Sequence, residues 1–234
     1  MSLAHNTANS QPAPATQTAV TDTPQQLTPQ EAWEKLQAGN KRFVGGVVEH
    51  PNQNSSRRES LTQSQHPFAT IFGCSDSRLA AEIIFDMGLG DTFVVRTAGQ
   101  VVSDAVLGTL EYSVEVLKVP LIVILGHDSC GAVGATQQSV LSGQLPSGFQ
   151  RSLIERITPA VLDAQRHGKD AVNDVVVENV RLVAERIVDQ SRSIAEAVER
   201  GDVALVGLFY HLADGKADVV YGQEPWLEAA STNS

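Results

Sequence analysis

The order of apolar runs along the chain predicts an α/β fold: a mostly parallel sheet of four to five strands flanked by helices, with a projecting N-terminal helix. Three observations carry this. Residues 68–73, 121–125 and 203–209 are short apolar runs rich in β-branched and aromatic side chains, the signature of buried strands. Segments with apolar residues at helical spacing lie between them, the alternation expected of a parallel sheet wound by helical crossovers. No repeat period or internal linker divides the pattern, so residues 28–234 are expected to form a single domain.

Residues 1–27 are rich in Thr, Gln, Ala, Pro and Asn and nearly free of large apolar side chains. Such a segment cannot bury enough surface to offset its ordering entropy, and a disordered tail is expected. Thr28-Pro29-Gln30-Glu31 is a helix start, with Thr28 as N-cap, Pro29 at the first position and Glu31 completing a capping box. Ala32, Trp33, Leu36 and Phe43 follow at helical spacing as far as Gly45-Gly46. This helix precedes the first strand and has no sheet of its own, so packing on another subunit is expected. Residues 47–65 are polar and read as a loop with one helical turn, ending at Pro67.

The strand at 68–73 runs into the turn Cys74-Ser75-Asp76-Ser77-Arg78, then a short helix at 80–87 closed by Gly88. Residues 91–96 are the next strand, followed by the small-residue loop Thr97-Ala98-Gly99-Gln100. Residues 103–117 form a core-facing helix that leads through Pro120 into the strand at 121–125. A helix at 131–141 begins beside His127 and Cys130, and amphipathic helices follow at 154–165, 172–187 and 194–199. The fourth strand is 203–209, and residues 217–221 are a fifth at the sheet edge.

The hydrophobic fraction of 42% and charged fraction of 19% are those of a globular domain. A net charge of −10 argues against nucleic acid as the main partner, which needs a basic face. No apolar run is long enough to span a bilayer, and no basic-then-apolar segment marks a secretory signal, so a cytoplasmic protein without membrane contact is expected. Cys74 and Cys130 are the only cysteines. In a secreted chain they would read as a disulfide. In the cytoplasm thiols stay reduced and serve as metal ligands or nucleophiles.

Cys74 leaves the carboxyl end of one strand, and Gly126-His127-Asp128-Ser129-Cys130 leaves that of another. Sites in open α/β sheets form at those ends. Two thiolates and one imidazole are three zinc ligands that leave a tetrahedral position for water, the mark of a catalytic rather than a structural zinc. They also leave the complex formally neutral, unlike a three-histidine site. Water then loses its proton less readily, and activity should rise toward alkaline pH unless nearby groups compensate. Asp76 and Arg78 sit on the same turn as Cys74. The carboxylate can bind the metal, or pair with Arg78 and accept a hydrogen bond from the metal-bound water; the planar, permanently charged guanidinium suits the second role.

C-S-D-S-R followed by G-H-D-S-C resembles the β-class carbonic anhydrases, in particular the plant-like subgroup found in bacteria. The resemblance extends over T-P-Q-E-A-W with G-N-K-R-F, F-V-V-R-T-A-G, L-E-Y-S-V and G-H-D-S-C-G-A-V, and weakens beyond about residue 145. It implies reversible hydration of CO2 to bicarbonate and a proton by a zinc-bound hydroxide. Cys74, His127 and Cys130 match the residues that hold the Zn2+, and Asp76 and Arg78 match the dyad that orients the nucleophile. Gln65 matches a glutamine that donates to substrate oxygen, although it reads equally as a solvated loop amide. Gly131 matches a backbone N–H donor, and Ala98, Phe93 and Tyr112 match lining of a small apolar pocket or ordinary core. The family is built from dimers or higher assemblies, which implies a homodimer or homotetramer and suits the N-terminal helix.

Part of the family has a regulatory bicarbonate site built around a tryptophan three residues before the first cysteine. Here that position is Ile71, although Arg96 matches the family's arginine, and the site is not expected. A simpler switch, in which Asp76 leaves Arg78 for the metal at low pH, stays open. His66, His167 and His211 show no ligand spacing, so buffer or water is expected to carry the released proton. Two other functions share the motifs: hydrolysis of COS or CS2 on the same zinc, and a non-catalytic zinc domain. The second needs a fourth protein ligand, and the retained dyad favours catalysis.

Overall fold

A computed structural model describes residues 26–222 and 224–227. The tail expected at 1–27 thus lies outside the described residues, apart from its last two positions. Five strands, β1 (Ala69–Cys74), β2 (Thr92–Thr97), β3 (Leu121–His127), β4 (Ala204–Tyr210) and β5 (Ala217–Tyr221), form one sheet in the order β2-β1-β3-β4-β5. β2, β1, β3 and β4 are parallel, and β5 runs antiparallel to β4. β1, β3 and β4 are buried throughout, as their unbroken apolar runs require, whereas β2 at the edge is only half-buried.

The helices are α1 (Pro29–Val44), α2 (Ser55–Ser60), α3 (Ala81–Ile84), α4 (Asp104–Glu115), α5 (Gly131–Ser142), α6 (Gln150–Arg166), α7 (Val172–Gln190) and α8 (Arg192–Glu199). Alternation along the strands sorts them onto the two faces of the sheet. Ile71, Val123, Leu125 and Val206 pack with Trp33 and Leu36 of α1, Ile84 of α3 and Ile157 of α6. Phe72, Ile122, Ile124 and Leu205 pack with Leu110 of α4, Ala184 and Ile187 of α7 and Ile194 of α8.

The capping box starts α1: Glu31 N–H donates to Thr28 Oγ1 at 3.3 Å and Thr28 N–H to Glu31 Oε2 at 2.8 Å. α1 stands outside the sheet as expected. Its apolar stripe, however, is closed by this chain, with Ala32, Trp33 and Leu36 at most 2% exposed. Gly39 makes the close approach, since a Cβ there would lie 1.8 Å from the Phe85 carbonyl oxygen. Asn40 ties the helix down by donating to the carbonyls of Ile84 and Gly215 and accepting from Ala217 N–H.

α3 stops four residues after it starts because Asp86 turns left-handed (φ 46°). The Asp86 carboxylate is then free to accept from the backbone N–H groups of Glu49 and His50 and from Arg42. The chain goes from β1 to β2 on one side and then crosses β1 to reach β3 on the other. The β1/β3 boundary is therefore the topological switch point, where the loops leaving adjacent strand ends diverge and open a crevice. No helix among the described residues is long and apolar enough to cross a membrane.

Candidate metal centre

Two strand ends and one helix start meet at that crevice. Cys74 ends β1, His127 ends β3, and Cys130 is the N-cap of α5. Their ligand atoms lie within 4.8 Å of one another, and all three residues are buried. The two sulfurs are 4.0 Å apart, in hydrogen-bond contact and without a disulfide between them. Two thiolates held at ~2.3 Å by one tetrahedral zinc sit about 3.8 Å apart, so the spacing suits a metal.

His127 Nδ1 lies 2.8 Å from the Asp128 carbonyl oxygen, which can only accept, so this nitrogen carries the proton. Nε2 is buried and has no hydrogen-bond partner. A ring fixed through one nitrogen with the other left unsatisfied is an imidazole ready to ligate. The donor set therefore fits zinc.

Loop contacts hold the three side chains in place. Asp128 N–H donates to Tyr210 O at 3.0 Å, and its carboxylate accepts from Leu212 N–H at 3.0 Å. Ser129, left-handed at φ 53°, is fixed by donation of its N–H to Asn173 Oδ1 at 3.0 Å. On the other strand, Gly99 N–H donates to Cys74 Sγ at 3.3 Å. Gly99 has φ 65°, and a Cβ there would lie 2.7 Å from Ile157 Cδ1, so only glycine fits without displacement.

The hydrogen bond from the Cys130 thiol, with smaller contributions from His127 and the backbone of Gly99 and Asp76, outweighs burial and holds the Cys74 thiol down at about 4. Cys130 is pushed up, first by donating that bond and then by burial. Burial is the largest influence on His127 and lowers it, but the adjoining Cys74 sulfur and the Asp128 carbonyl together outweigh burial and raise it.

Asp76 and Arg78 form a closed pair beside this cluster. Arg78 Nε donates to Oδ1 at 2.9 Å, Nη2 to Oδ2 at 2.8 Å, and the Arg78 backbone N–H to Oδ1 at 2.9 Å. The side-chain bond from Arg78 is the main reason that Asp76 lies well below the usual carboxylate range. Arg96 on β2 bonds back to the same turn, with Nε 2.9 Å from Cys74 O and Nη2 2.5 Å from Asp76 O.

The expected pocket residues divide into two groups. Gly131 opens α5, where helix geometry leaves the first N–H groups without intrahelical partners. Ala98 begins the turn that carries Gly99 and lines an apolar groove of about 540 Å³ with Ala132, Leu153 and Ile154. Phe93 is distant: it pairs with Thr70, four residues before Cys74 on β1, or about 13 Å along the strand. Tyr112 packs against it with ring centroids 6.2 Å apart. Gln65 is exposed and precedes β1, at the opposite end of that strand from Cys74. Within one chain these three are not brought to the cluster.

Asn173 and Asn179 are supports that no motif announces. The signal for Asn179 is a polar residue within the apolar stripe of α7.

Comparison with known proteins agrees with the site. The sequence model of the carbonic anhydrase family matches residues 69–217. Over 191 residues the chain is 52% identical to a carbonic anhydrase of Mycolicibacterium smegmatis, covering 82% of this chain and 93% of that one. It is 50% identical over 189 residues to carbonic anhydrase 2 of Mycobacterium tuberculosis, covering 81% and 91%. Among solved structures, one of two tetrameric β-carbonic anhydrases from Sordaria macrospora shares the fold. Its TM-score is 0.65 at 23% identity, with 83% of this chain and 100% of that chain covered. With the family match reaching from the first strand to the last and about half of the aligned residues shared with the mycobacterial enzymes, the chain belongs to the β-class carbonic anhydrases.

Proposed function

We propose that this protein hydrates CO2 reversibly to bicarbonate and a proton at a zinc ion held by Cys74, His127 and Cys130. The observation that carries the reading is the buried, unpartnered His127 Nε2 facing two reduced sulfurs beside a closed Asp76–Arg78 pair. A bound zinc supplies the Lewis acid that activates water for attack on carbon. The chain's own residues do the rest.

Asp76 is ionised at neutral pH, and an ionised carboxylate offers about four lone-pair sites. Arg78 fills three with the bonds above, leaving one on Oδ2 to accept a hydrogen bond from the attacking water and aim the water's lone pair at CO2. Arg78 keeps the carboxylate charged and away from the metal. Gly131 N–H, at the positive end of α5, offers a donor to the developing bicarbonate oxygen. Ala98 keeps the wall apolar for an uncharged substrate. His211 is engaged with Asp218 at 2.9 Å and His167 with Asp163 O at 2.9 Å, and the released proton is assigned to water or buffer.

Gln65, Phe93 and Tyr112 enter the same scheme from a second copy in a homodimer or homotetramer. The half-buried edge strand β2 and the 46% exposure of Tyr112 support an interface there, and the Sordaria relatives are tetramers. Residues 28–234 act as one catalytic domain, and the unbonded cysteines suit a cytoplasmic location. Stopped-flow CO2 hydration by zinc-loaded protein, with Asp76→Asn alongside, tests the reading. Fast turnover that rises with pH and collapses in the variant supports it. No turnover at any pH with one zinc per chain bound refutes it and directs attention to COS and CS2.

A further inference from the structure

The face that α7 presents to the core is an apolar stripe of Val175, Val176, Val180, Val183, Ala184 and Ile187, interrupted by Asn179. Asn179 is 3% exposed, and its Nδ2 donates to the carbonyl of Gly99 at 3.1 Å. Burying an amide among valines is unfavourable unless the amide holds something. Here it holds the residue whose N–H lies on Cys74 Sγ.

Gly99 does not fix itself. It is left-handed and has no side chain, and it is followed by a second left-handed residue, Gln100, at φ 41°. The Gln100 amide is buried with neither Nε2 nor Oε1 partnered, so it does not brace the turn. Thr97 Oγ1 donates to Val101 O at 3.0 Å, and Ser75 N–H donates to Thr97 O at 3.0 Å. Those bonds fasten the two ends of the turn and leave its middle to Asn179.

We propose that Asn179 is a positioning residue of the metal site: by holding the Gly99 carbonyl it keeps the Gly99 N–H on the Cys74 sulfur, and so sets how much charge that thiolate donates. The inference rests on Cys74 being a zinc ligand. A hydrogen bond to a thiolate draws electron density from the sulfur and leaves more positive charge on the metal. It offsets part of the neutralisation that two thiolates impose. The same bond fixes the position of the sulfur, and outer contacts of this kind support metal affinity.

The test compares three proteins loaded with cobalt(II) in place of zinc. Asn179→Leu keeps the size of the side chain and removes the donor. Val183→Ala loosens the same helix without touching Gly99. In Asn179→Leu the sulfur-to-cobalt charge-transfer band should move to longer wavelength, and release of metal to a chelator should accelerate about tenfold or more. The pH midpoint of CO2 hydration by the zinc form should rise. In Val183→Ala all three should stay at wild-type values despite a lower unfolding temperature.

An unmoved band and midpoint in folded Asn179→Leu, or equal movement in Val183→Ala, overturns the role of Asn179. Asn179→Asp, which has the same shape but only accepts, is read in the same way if the leucine variant does not fold. A wild-type cobalt protein with no thiolate band overturns the metal-site reading, and this inference with it. A normal wild-type band that no variant moves overturns this inference alone.

Discussion

Replacing Gly99 by alanine tests the turn that reaches Cys74, and its two costs are separable. A Cβ at position 99 would lie 2.7 Å from Ile157 Cδ1 and 3.1 Å from Ala132 Cβ. Ile157 is 0% exposed, so it has no open space to swing into. Holding alanine at φ 65° costs about 1–2 kcal/mol, and forcing a methyl into the packed contact costs about 1–3 kcal/mol more. The sum centres near 3.5 kcal/mol, or a fall of roughly 7–14 °C in unfolding temperature for a chain of this size.

Thermal unfolding of the zinc-free protein at fixed concentration measures it without bound metal contributing. Ile157→Val deletes the Cδ1 that the new methyl meets and by itself costs about 0.5–1.5 kcal/mol. In the double variant the contact with Cδ1 goes, while the contact with Ala132 Cβ and the backbone cost stay, giving a favourable coupling of about 1 kcal/mol or more. Strictly additive losses would show that Ile157 is not what the methyl meets, and the account of why glycine is needed here would fall.

Two further outcomes follow from contacts away from the metal. Burial raises the Asp86 carboxyl, but the N–H groups of Glu49 and His50 and the Arg42 guanidinium outweigh it, so the folded value lies below the ordinary one. The stability it contributes is therefore present above the ordinary carboxylate pKa of ~3.9 and is lost as pH falls through the depressed folded value. Asp86→Asn, which tolerates the left-handed backbone, should cost about 1.5–3 kcal/mol in urea unfolding at neutral pH. A gap that fails to narrow in acid contradicts the assignment. Asn40→Ala removes three hydrogen bonds that fasten α1 to the Ile84, Gly215 and Ala217 backbones. It should lower stability by about 1–3 kcal/mol with CO2 hydration per zinc unchanged, and a matching loss of turnover would mean that α1 reaches the site.

The element order was legible because each strand here is a compact apolar run and each crossover helix keeps its own period. The ends were less so. α6 starts at Gln150, ahead of the first apolar residue, Leu153, because its opening residues face solvent and leave no periodic mark. α3 is shorter than the run at 80–87 suggests, because Asp86 leaves helical geometry to bind a loop some 36 residues earlier. Gly131 directly follows Cys130 in the chain, whereas the turn of Ala98 and Gly99 meets Cys74 only through the fold, by the Gly99 N–H on its sulfur. Phe93, Tyr112 and Gln65 lie elsewhere in the chain, and within one chain the fold does not bring them to the cluster.

Sequence alone determined the donor set of this protein, because Cys74 with Asp76 and Arg78, and His127 with Cys130, each fall within a single turn where spacing dictates proximity. The tertiary structure decided what surrounds those donors. The parallel register of β1 on β2 delivers Arg96 to the Cys74 carbonyl, and the crossing of α7 beneath β3 delivers Asn179 to Gly99. The free Nε2 of His127 depends on the packing around the end of β3. These are contacts between segments far apart in the chain. Local propensity carries no information about them, and they exist only once the apolar faces of sheet and helices have closed on one another.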